Sequence, residues 1–267
     1  MPVDRQFIAA LAHGLELLRC FTSEQPVLTN GALAQMTGMT RSLVSRLTYT
    51  LVKCGYLDYD AEARAYRLGF SVLSLQPTAL SGTRIVESVM PQMQELAERL
   101  GARVLLTVYD NFGLTVVQGV CTNPDIPAPM LVGWRYAISR RAMGRTFLAS
   151  TSGVEQERVL AHLAQGDSLK SELLHAELHH AVQSYRSRGF CTSLGEGRPG
   201  NNSISVALNL PHLGQRLFLS CGGPAQRLTE RALNDHVAPL LMRSAAEIER
   251  SAPRKPAPRS RALATPH

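Results

Sequence analysis

The opening of the chain has its apolar positions at helical spacing. They recur every three or four residues and predict an amphipathic helix running to about residue 21: Ile8, Leu11, Leu15 and Leu18. A shorter helical pattern follows over residues 31–37, with Thr29 placed to cap it. Gly38 ends this second helix, since glycine readily adopts the backbone conformation that terminates helices.

A third helix is predicted to start after Thr40, whose hydroxyl can accept a hydrogen bond from the first turn, and to end at Gly55. At about 100° per residue, one arc of this helix is apolar: Leu43, Val44, Leu47, Leu51 and Cys54. The opposite arc is polar: Arg41, Ser42, Ser45, Arg46, Thr48, Tyr49 and Lys53. No acidic residue lies between Arg41 and Lys53, so this arc lacks the mixed charges of an ordinary solvated helix.

Two strand-like runs, GYLDYD and RAYRLG, follow the third helix and are joined by a short turn at residues 61–63. A hairpin directly after a helix–turn–helix is the wing of a winged-helix module. From Phe70 to about Leu80, a helical pattern with few charges predicts a linker helix. We therefore expect a winged helix-turn-helix domain over residues 1–68 and a linker helix over 69–82.

The remainder of the chain, residues 83–250, predicts an α+β domain. Helices are expected at about 85–100, from the segment RAMGRTFLAS, at 154–165, at 173–188 and at 229–250. Strands are expected at 104–110, 113–121, around 130–133, and in a hairpin formed by 203–211 and 215–224. Several strands with helices to either side form a domain large enough to enclose a small ligand.

The polar arc of the third helix predicts contact with DNA. In a helix-turn-helix the second helix enters the major groove, where Arg bonds guanine and Ser or Thr contacts bases or phosphates. The candidate contacts on this helix are Thr40, Arg41, Ser42, Ser45, Arg46 and Tyr49. The alternative for these residues is a solvated surface, or a winged helix that binds another protein.

The composition adds limits to this interpretation. No run of about 18 apolar residues could span a membrane, and the five cysteines form no CxxC pair, so a reducing cytoplasm is expected. The formal net charge is +7, but residues 1–82 contribute only +1 and residues 83–250 only +2. The remaining +4 lies in the basic, proline-rich tail over 251–267, which is predicted to be disordered. Net charge alone therefore does not establish DNA binding.

At this point a family resemblance is visible. The chain resembles the IclR-type bacterial transcription regulators through LTNGALAQMTGMTRSLVSRLTYTLVKCGYL, YRLG, AMGRTFLA, RSRGFCTSLGEGRPG and GGPAQRLT, in that order. The resemblance implies a GAF/PAS-like effector domain after the winged helix, and a homodimer or a dimer of dimers that binds double-stranded operator DNA. It also implies that the wing residues Arg64 and Arg67 approach phosphates or the minor groove. A hairpin surface charge is the alternative for these two arginines, because Asp58, Asp60 and Glu62 lie nearby.

The resemblance also implies where an effector binds. Matching the family motifs gives the following candidate contacts: Arg141, Ala142, Met143, Ser193, Asn201, Ser203, Ser220 and Gly222. The segment SRRAMGR departs from the family pattern because it carries Arg140, Arg141 and Arg145. An arginine there can pair bidentately with a carboxylate, so we expect a small organic acid, with an aromatic carboxylate from a catabolic route as the candidate. A surface arginine or an inter-domain salt bridge is the alternative for each.

Other motifs in the chain carry less weight. Gly195, Gly197 and Gly200 match GxGxxG, but a strand-like run follows where a dinucleotide site needs a helix. His175 and His179 are spaced as metal ligands could be, although the HExxH order is absent and a surface cluster is the expected outcome. No nucleophile–base set is readable, so neither a cofactor nor an enzyme activity is expected. The rival function is an enzyme or ligand-sensing module whose winged helix serves protein contact.

Overall fold

The computed structural model describes residues 6–22, 24–75, 85–110, 112–124, 126, 132–138, 141–164, 168–210 and 215–252. The chain divides into two compact units, Met1–Gly82 and Thr83–His267. The predicted fold class is confirmed: a helix-turn-helix unit precedes a mixed α+β unit. The basic tail beyond residue 252 and most of the predicted linker helix lie outside the described residues. Within 69–75 the chain forms a short 3-10 turn, Phe70–Val72.

The first unit is a three-helix winged helix. Its elements are α1 (Ala9–Arg19), β1 (Leu28–Thr29), α2 (Asn30–Thr37), α3 (Arg41–Lys53), β2 (Leu57–Asp60) and β3 (Ala65–Leu68). The strands form an antiparallel sheet in the order β1-β3-β2. Strand β1 was not predicted, because two residues carry no readable periodicity. A small core joins the helices to the sheet: Leu17, Phe21, Leu28, Leu33, Val44 and Leu57.

Local signals set the helix boundaries in this unit. The Thr29 hydroxyl accepts a hydrogen bond from the Ala32 N–H at 3.2 Å, and the Thr40 hydroxyl accepts one from the Leu43 N–H at 3.3 Å. Gly38 has φ of 69°, a left-handed conformation that side chains with a Cβ disfavour. The sequence therefore encodes the turn between α2 and α3 directly.

Two positions on α3 differ from the prediction. Thr48 was placed on the polar arc, yet it is fully buried and its hydroxyl donates to the Val44 carbonyl at 2.9 Å. Threonine can pack its methyl group inward while satisfying its hydroxyl within its own helix. Cys54 was placed on the apolar arc and is exposed, because the helix ends at Lys53 and Cys54 is its cap.

The apolar side of α1 is largely exposed within one chain. Ile8, Leu11 and Leu15 are 65%, 61% and 52% exposed, whereas Leu17 is buried in the core. The helix is amphipathic as predicted, but of the four residues that define its spacing only Leu18 packs against the core of the unit. An exposed apolar stripe of this kind is typical of a protein interface.

The second unit is a six-stranded antiparallel sheet between two layers of helices. Its elements are α4 (Ile85–Leu100), β4 (Arg103–Asp110), β5 (Gly113–Cys121), β6 (Arg135–Ala137), α5 (Ala142–Ser150), α6 (Val154–Ala164), α7 (Ser168–Arg188), β7 (Cys191–Leu194), β8 (Asn201–Leu208), β9 (Leu217–Pro224), α8 (Glu230–Ala232), a π-helical turn (Leu233–Val237) and α9 (Ala238–Ser251). The strand order is β6-β5-β4-β9-β8-β7. The long β4 is therefore paired with β9, which lies about a hundred residues away in sequence.

Helices cover both faces of this sheet. On one face α4 and α9 bury a core that includes Met93, Leu106, Ile204 and Leu241. On the other face α5, α6 and α7 bury a second core that includes Phe147, Leu160, Leu178 and Phe218. The second face is the one that also borders the cavity described below.

Several elements of this unit differ from those predicted from the sequence. The short strand expected around 130–133 lies instead at Arg135–Ala137, and residues 130 and 131 lie outside the described part of the chain. The segment Cys191–Leu194 is an edge strand paired with β8 that was not among the predicted strands. The helix α7 begins at Ser168 rather than near residue 173. Short edge strands are defined by their pairing partner, which a single sequence does not reveal.

Candidate functional sites

The first candidate site is the outer side of α3. Arg41, Ser42, Ser45, Arg46 and Tyr49 are all exposed, and Tyr49 is 65% exposed. Lys53 lies with its ammonium 5.6 Å from the centre of the Tyr49 ring, so the positive side continues to the end of the helix. No acidic residue interrupts this surface along α3. Such a side offers guanidinium, hydroxyl and phenol donors to base edges and phosphates.

The wing contributes two further arginines with different surroundings. The turn between β2 and β3 is shaped by Asp60, whose carboxylate accepts hydrogen bonds from the N–H groups of Glu62 and Ala63 at 2.9 and 3.0 Å. Arg64 is exposed at the tip of this turn with φ of 47°. Arg67 lies 3.5 Å from Asp58 across the hairpin. Contact with DNA by Arg67 would therefore compete with an ion pair inside the wing.

The second candidate site is a cavity in the sheet domain, bounded by the sheet, the start of α5 and the loop between β7 and β8. The space between its walls is about 500 Å³, a volume that includes the solvent at its open mouth. Its walls are formed by the following residues: Arg103, Leu105, Tyr136, Arg141, Met143, Ser193, Gly197, Arg198, Asn201, Ser203, Ser220, Cys221 and Gly222. Seven of the eight predicted effector contacts lie in this one cavity wall.

Ala142 is the exception among the predicted contacts. It is only 1% exposed and does not line the cavity. The neighbouring residues Arg141 and Met143 do line it, because successive residues at the start of a helix point about 100° apart. The segment chosen from the sequence motif lies at the cavity, and the rotation of the helix decides which of its side chains face the cavity.

The cavity wall is basic. It carries three arginines, Arg103, Arg141 and Arg198, and none of the described lining residues is acidic. The Arg141 guanidinium lies 4.9 Å from the centre of the Tyr136 ring, a distance that allows a cation–π interaction. Guanidinium groups bind carboxylates through paired hydrogen bonds. The wall therefore favours an anionic ligand over a cationic one.

Arg145, the third arginine of the SRRAMGR segment, does not line the cavity. Its guanidinium lies 3.3 Å from the Glu196 carboxylate and donates to the Thr192 carbonyl at 2.8 Å. It is therefore held by residues of its own unit, while Arg140 lies outside the described residues. Of the arginines in this segment, the structure brings Arg141 to the cavity wall.

Serine hydroxyls supply polar groups to the cavity wall, and the one on Ser220 is hydrogen-bonded to a residue behind the wall. The Ser220 hydroxyl donates to the Ser205 hydroxyl at 2.9 Å, and both residues are buried. The Ser205 carbonyl in turn accepts a hydrogen bond from the Thr146 hydroxyl at 3.0 Å. Leu105 of β4 is the cross-strand partner of Ser220, and Phe218 lies two residues before Ser220 on β9. The wall near Ser220 thus combines polar and apolar groups and can contact a ligand with both an apolar body and a polar end.

Six wall residues were not predicted from the sequence: Arg103, Leu105, Tyr136, Gly197, Arg198 and Cys221. Arg103 and Leu105 are two residues apart on β4, and they pair with Gly222 and Ser220 of β9. The alternation along β4 was readable, but the pairing of β4 with β9 was not. Gly197 and Arg198 belong to the GEGRPG loop, which connects β7 to β8 rather than a strand to a helix.

The histidine pair on α7 was the remaining candidate for a metal site. Among the described residues, no group of three His, Cys, Asp or Glu side chains could hold a metal ion. His175 lies 3.6 Å from Glu157, which joins α7 to α6. No helix in the described part of the chain is long and apolar enough to cross a bilayer.

A winged helix with an acid-free exposed side and a sheet domain with a basic cavity together define a ligand-responsive DNA-binding regulator. Comparison with known families agrees. The IclR helix-turn-helix domain matches residues 10–61, and the bacterial transcriptional regulator IclR C-terminal domain matches residues 77–250. The chain belongs to the IclR family of bacterial transcriptional regulators, so the resemblance seen in the sequence is confirmed. It is a DNA-binding transcription regulator and not an enzyme.

Relatives cover nearly the whole chain. The HTH-type transcriptional regulator TsaQ1/TsaQ2 of Comamonas testosteroni is 28% identical over 91% of this chain and 87% of its own length. The crystal structure of an IclR family transcriptional regulator from Brucella abortus has 31% identity and a TM-score of 0.86, covering 94% of this chain and 95% of that one. An IclR homologue from Microbacterium hydrocarbonoxydans, solved in complex with 4-hydroxybenzoate, has 20% identity and a TM-score of 0.64, covering 91% and 98% of the two chains.

Proposed function

We propose that this regulator senses a small organic acid, with an aromatic carboxylate as the specific candidate, and controls a catabolic operon in response. The observation that carries the proposal is the cavity wall, which has three arginines and no acidic residue among those the structure describes. Leu105, Met143 and Tyr136 supply apolar and aromatic surface beside these charges. A homologue of the same fold was solved with 4-hydroxybenzoate, which combines a carboxylate, an aromatic ring and a hydroxyl.

Within this proposal, seven of the eight predicted effector contacts have a role in binding. Arg141 pairs with the carboxylate while it stacks on Tyr136. Met143 contacts the apolar body of the ligand. The polar strand and loop residues Ser193, Asn201, Ser203 and Ser220 orient its polar groups, and Gly222 leaves room for it on β9. The Ala142 side chain is left out of the contact set because it is buried away from the cavity.

The proposed DNA contacts are those on α3 and the wing: Thr40, Arg41, Ser42, Ser45, Arg46, Tyr49, Arg64 and Arg67. Arg41 and Arg46 read bases, because the first turns of a recognition helix lie deepest in the major groove. Arg64, at the exposed tip of the wing, contacts phosphates or the minor groove. Arg67 contributes less than Arg64, since its charge is already paired with Asp58.

The proposed assembly is a homodimer that places two copies of α3 on half-sites about 34 Å apart. The exposed apolar stripe of α1, together with the exposed side chains of Leu68, Phe70 and Leu73, supplies surface for a second copy of the chain. A dimer of dimers remains the alternative assembly. Effector binding then shifts the population between geometries that fit the operator well and badly. Acting on chromosomal operators in a bacterium, such a protein works in the cytoplasm.

Isothermal titration calorimetry tests the effector class. The full-length protein is titrated with 4-hydroxybenzoate, benzoate and the uncharged analogue benzamide. We expect the carboxylates to bind and benzamide to bind at least about tenfold more weakly, because it lacks the charge that pairs with arginine. Arg141→Met should abolish this preference, whereas Arg99→Met, on an exposed helical position outside the cavity wall, should retain it. Equal affinity for the acids and for benzamide would exclude the organic-acid effector. It would also be excluded if none of these compounds bound while a compound of another class did.

A further inference from the structure

A single ion pair fastens the loop between β7 and β8 to helix α5. Arg145 is the fourth residue of α5, and both terminal nitrogens of its guanidinium lie 3.3 Å from Oε1 of Glu196. One of these nitrogens also donates to the Thr192 carbonyl at 2.8 Å. Arg145 therefore holds the end of β7 and the following loop at the same time, because its charged group offers several N–H donors.

The second oxygen of Glu196 organises the loop itself. Oε2 accepts hydrogen bonds from the Ser193 hydroxyl at 3.2 Å and from the Leu194 backbone N–H. The Ser193 hydroxyl oxygen accepts a further bond from the Gly197 N–H at 3.2 Å. Although partial burial opposes ionisation, the backbone N–H groups and the Arg145 charge hold the pKa of the Glu196 carboxyl below its ordinary value. The carboxylate is thus stabilised in its charged form where the loop needs it.

The residues that this network holds are residues of the cavity wall. Ser193, Gly197 and Arg198 all line the cavity, and Gly197 lies directly against Arg141. Neither Arg145 nor Glu196 lines the cavity itself. The network therefore affects the cavity indirectly, because it holds the loop and the start of α5, which form part of the wall.

We propose that Arg145 and Glu196 are positioning residues for the effector site: their ion pair holds the 195–200 loop against α5 and so fixes where Arg141 and Arg198 present their charges. An exposed ion pair contributes little to stability, and Glu196 is 38% exposed. This pair differs because each partner makes additional hydrogen bonds that depend on its charge. The inference rests on the proposed function for the identity of the cavity, but the position of the loop is a property of the ligand-free protein.

Hydrogen–deuterium exchange of the ligand-free, full-length protein tests the fastening directly. Glu196→Gln keeps the shape of the side chain and removes its charge. Arg145→Met keeps the aliphatic stem and removes the charge, and Arg145→Lys restores the charge. Glu95→Gln is the matched control, since it breaks an ion pair with Arg99 of 2.8 Å in the same unit but outside the cavity wall.

We expect peptides covering 193–201 to exchange about tenfold faster in Glu196→Gln and Arg145→Met than in the parent protein, because a charge-assisted network closes the loop. Arg145→Lys should restore most of the protection, and Glu95→Gln should match the parent. A purely packing role for Arg145 predicts equal exchange in the Met and Lys variants, which overturns the proposal. Unchanged exchange of 193–201 in Glu196→Gln overturns it as well. If Glu196→Gln does not fold, the comparison of Arg145→Met with Arg145→Lys decides the question.

Titration with 4-hydroxybenzoate then tests the consequence for the cavity. Arg141→Met should weaken binding strongly in the parent protein but only slightly when Glu196→Gln is also present, because Arg141 is then no longer held in place. Independent, multiplicative effects of the two substitutions contradict a positioning role. If the parent protein binds neither this acid nor benzoate, the proposed effector class fails, while the exchange measurement still decides whether the ion pair holds the loop.

Discussion

Gly197 and Arg141 are in closer contact than any other residue at position 197 would allow. A Cβ built on Gly197 would lie 2.6 Å from the Arg141 Cγ and 3.0 Å from its Cα. The backbone of Gly197 does not require a left-handed conformation, so the restriction is steric. Glycine at position 197 therefore lets the loop lie against Arg141, the residue directly before α5.

Gly197→Ala should displace the loop from Arg141 and weaken effector binding. Because part of the clash is with backbone atoms, the side chain of Arg141 cannot relieve it by rotating alone. We expect about a tenfold loss of affinity for a carboxylate effector, corresponding to about 1.4 kcal/mol, measured by isothermal titration. Gly14→Ala is the control, since a Cβ there would meet nothing within 4 Å. Parent-like affinity in Gly197→Ala would mean that the loop position does not matter for binding.

Alanine substitutions on α3 test the proposed base contacts. Arg41→Ala and Arg46→Ala should each weaken operator binding by about 1–3 kcal/mol, because each removes a donor fork from the groove. A gel-shift titration with the DNA flanking the protein's own gene measures the effect, with Arg99→Ala as the control on the other unit. If both variants bind operator DNA as the parent does, α3 does not enter the groove in the proposed way.

Charges placed on the stripe of α1 test the dimer. Leu11 and Leu15 are 61% and 52% exposed in the single chain, so Leu11→Glu and Leu15→Glu should not disturb the core of the unit. Each should lower the molar mass in solution by burying an unpaired charge at the interface, as light scattering after gel filtration would show. Leu173→Glu, at a position 55% exposed in the sheet domain, is the control. An unchanged mass for both α1 variants would place the interface elsewhere.

The cysteines should differ widely in reactivity. Burial raises the pKa of the Cys191 thiol to about 11 and that of the Cys221 thiol to about 12. Since the thiolate is the reactive species, we expect iodoacetamide at neutral pH to modify the exposed Cys54 first and to leave these two intact until the protein unfolds. Peptide mapping after partial labelling measures the order, and the denatured protein supplies the reference rates. Labelling of Cys191 at the rate of Cys54 would contradict the burial.

The ion pair of Glu196 predicts a stability difference that depends on pH. Its folded-state pKa lies below the ordinary value of 4.5, so its contribution is present above that value and is lost as the pH falls through the folded-state pKa. The free energy of unfolding of the parent should exceed that of Glu196→Gln at neutral pH. The gap should narrow as acid protonates the carboxyl, and urea titrations at a series of pH values would measure it. A gap that persists unchanged into the most acidic folded conditions would mean that the charge of Glu196 is not its source.

Much of the winged helix was readable because its signals are local. The caps Thr29 and Thr40 and the terminator Gly38 each act within four residues, and all three lie where the sequence predicted. The hairpin after α3 was likewise visible from its strand pattern. Thr48 was misassigned because a threonine that bonds its own helix looks polar in sequence while it packs as an apolar residue.

The cavity was readable only in part. Family motifs located Arg141, Ser193, Ser203 and Ser220, which come from separate segments of the chain. Arg103 was invisible to this reasoning, because it reaches the wall only through the pairing of β4 with β9 opposite Gly222. Strand pairing across about a hundred residues leaves no periodic signal in either strand.

The sequence by itself determined the three helices and the hairpin of the first unit, the ends of α2 and the start of α3, and the acid-free side of α3, since these follow from propensity, capping and periodicity over a few neighbouring residues. The tertiary structure alone decided which arginines face the cavity. Arg141 lines the cavity, whereas Arg145 forms an ion pair with Glu196, although the two residues belong to the same seven-residue segment. The physical reason is that the fate of a charge depends on which partners folding brings within hydrogen-bonding distance, and those partners lie on strands and loops far away in the chain.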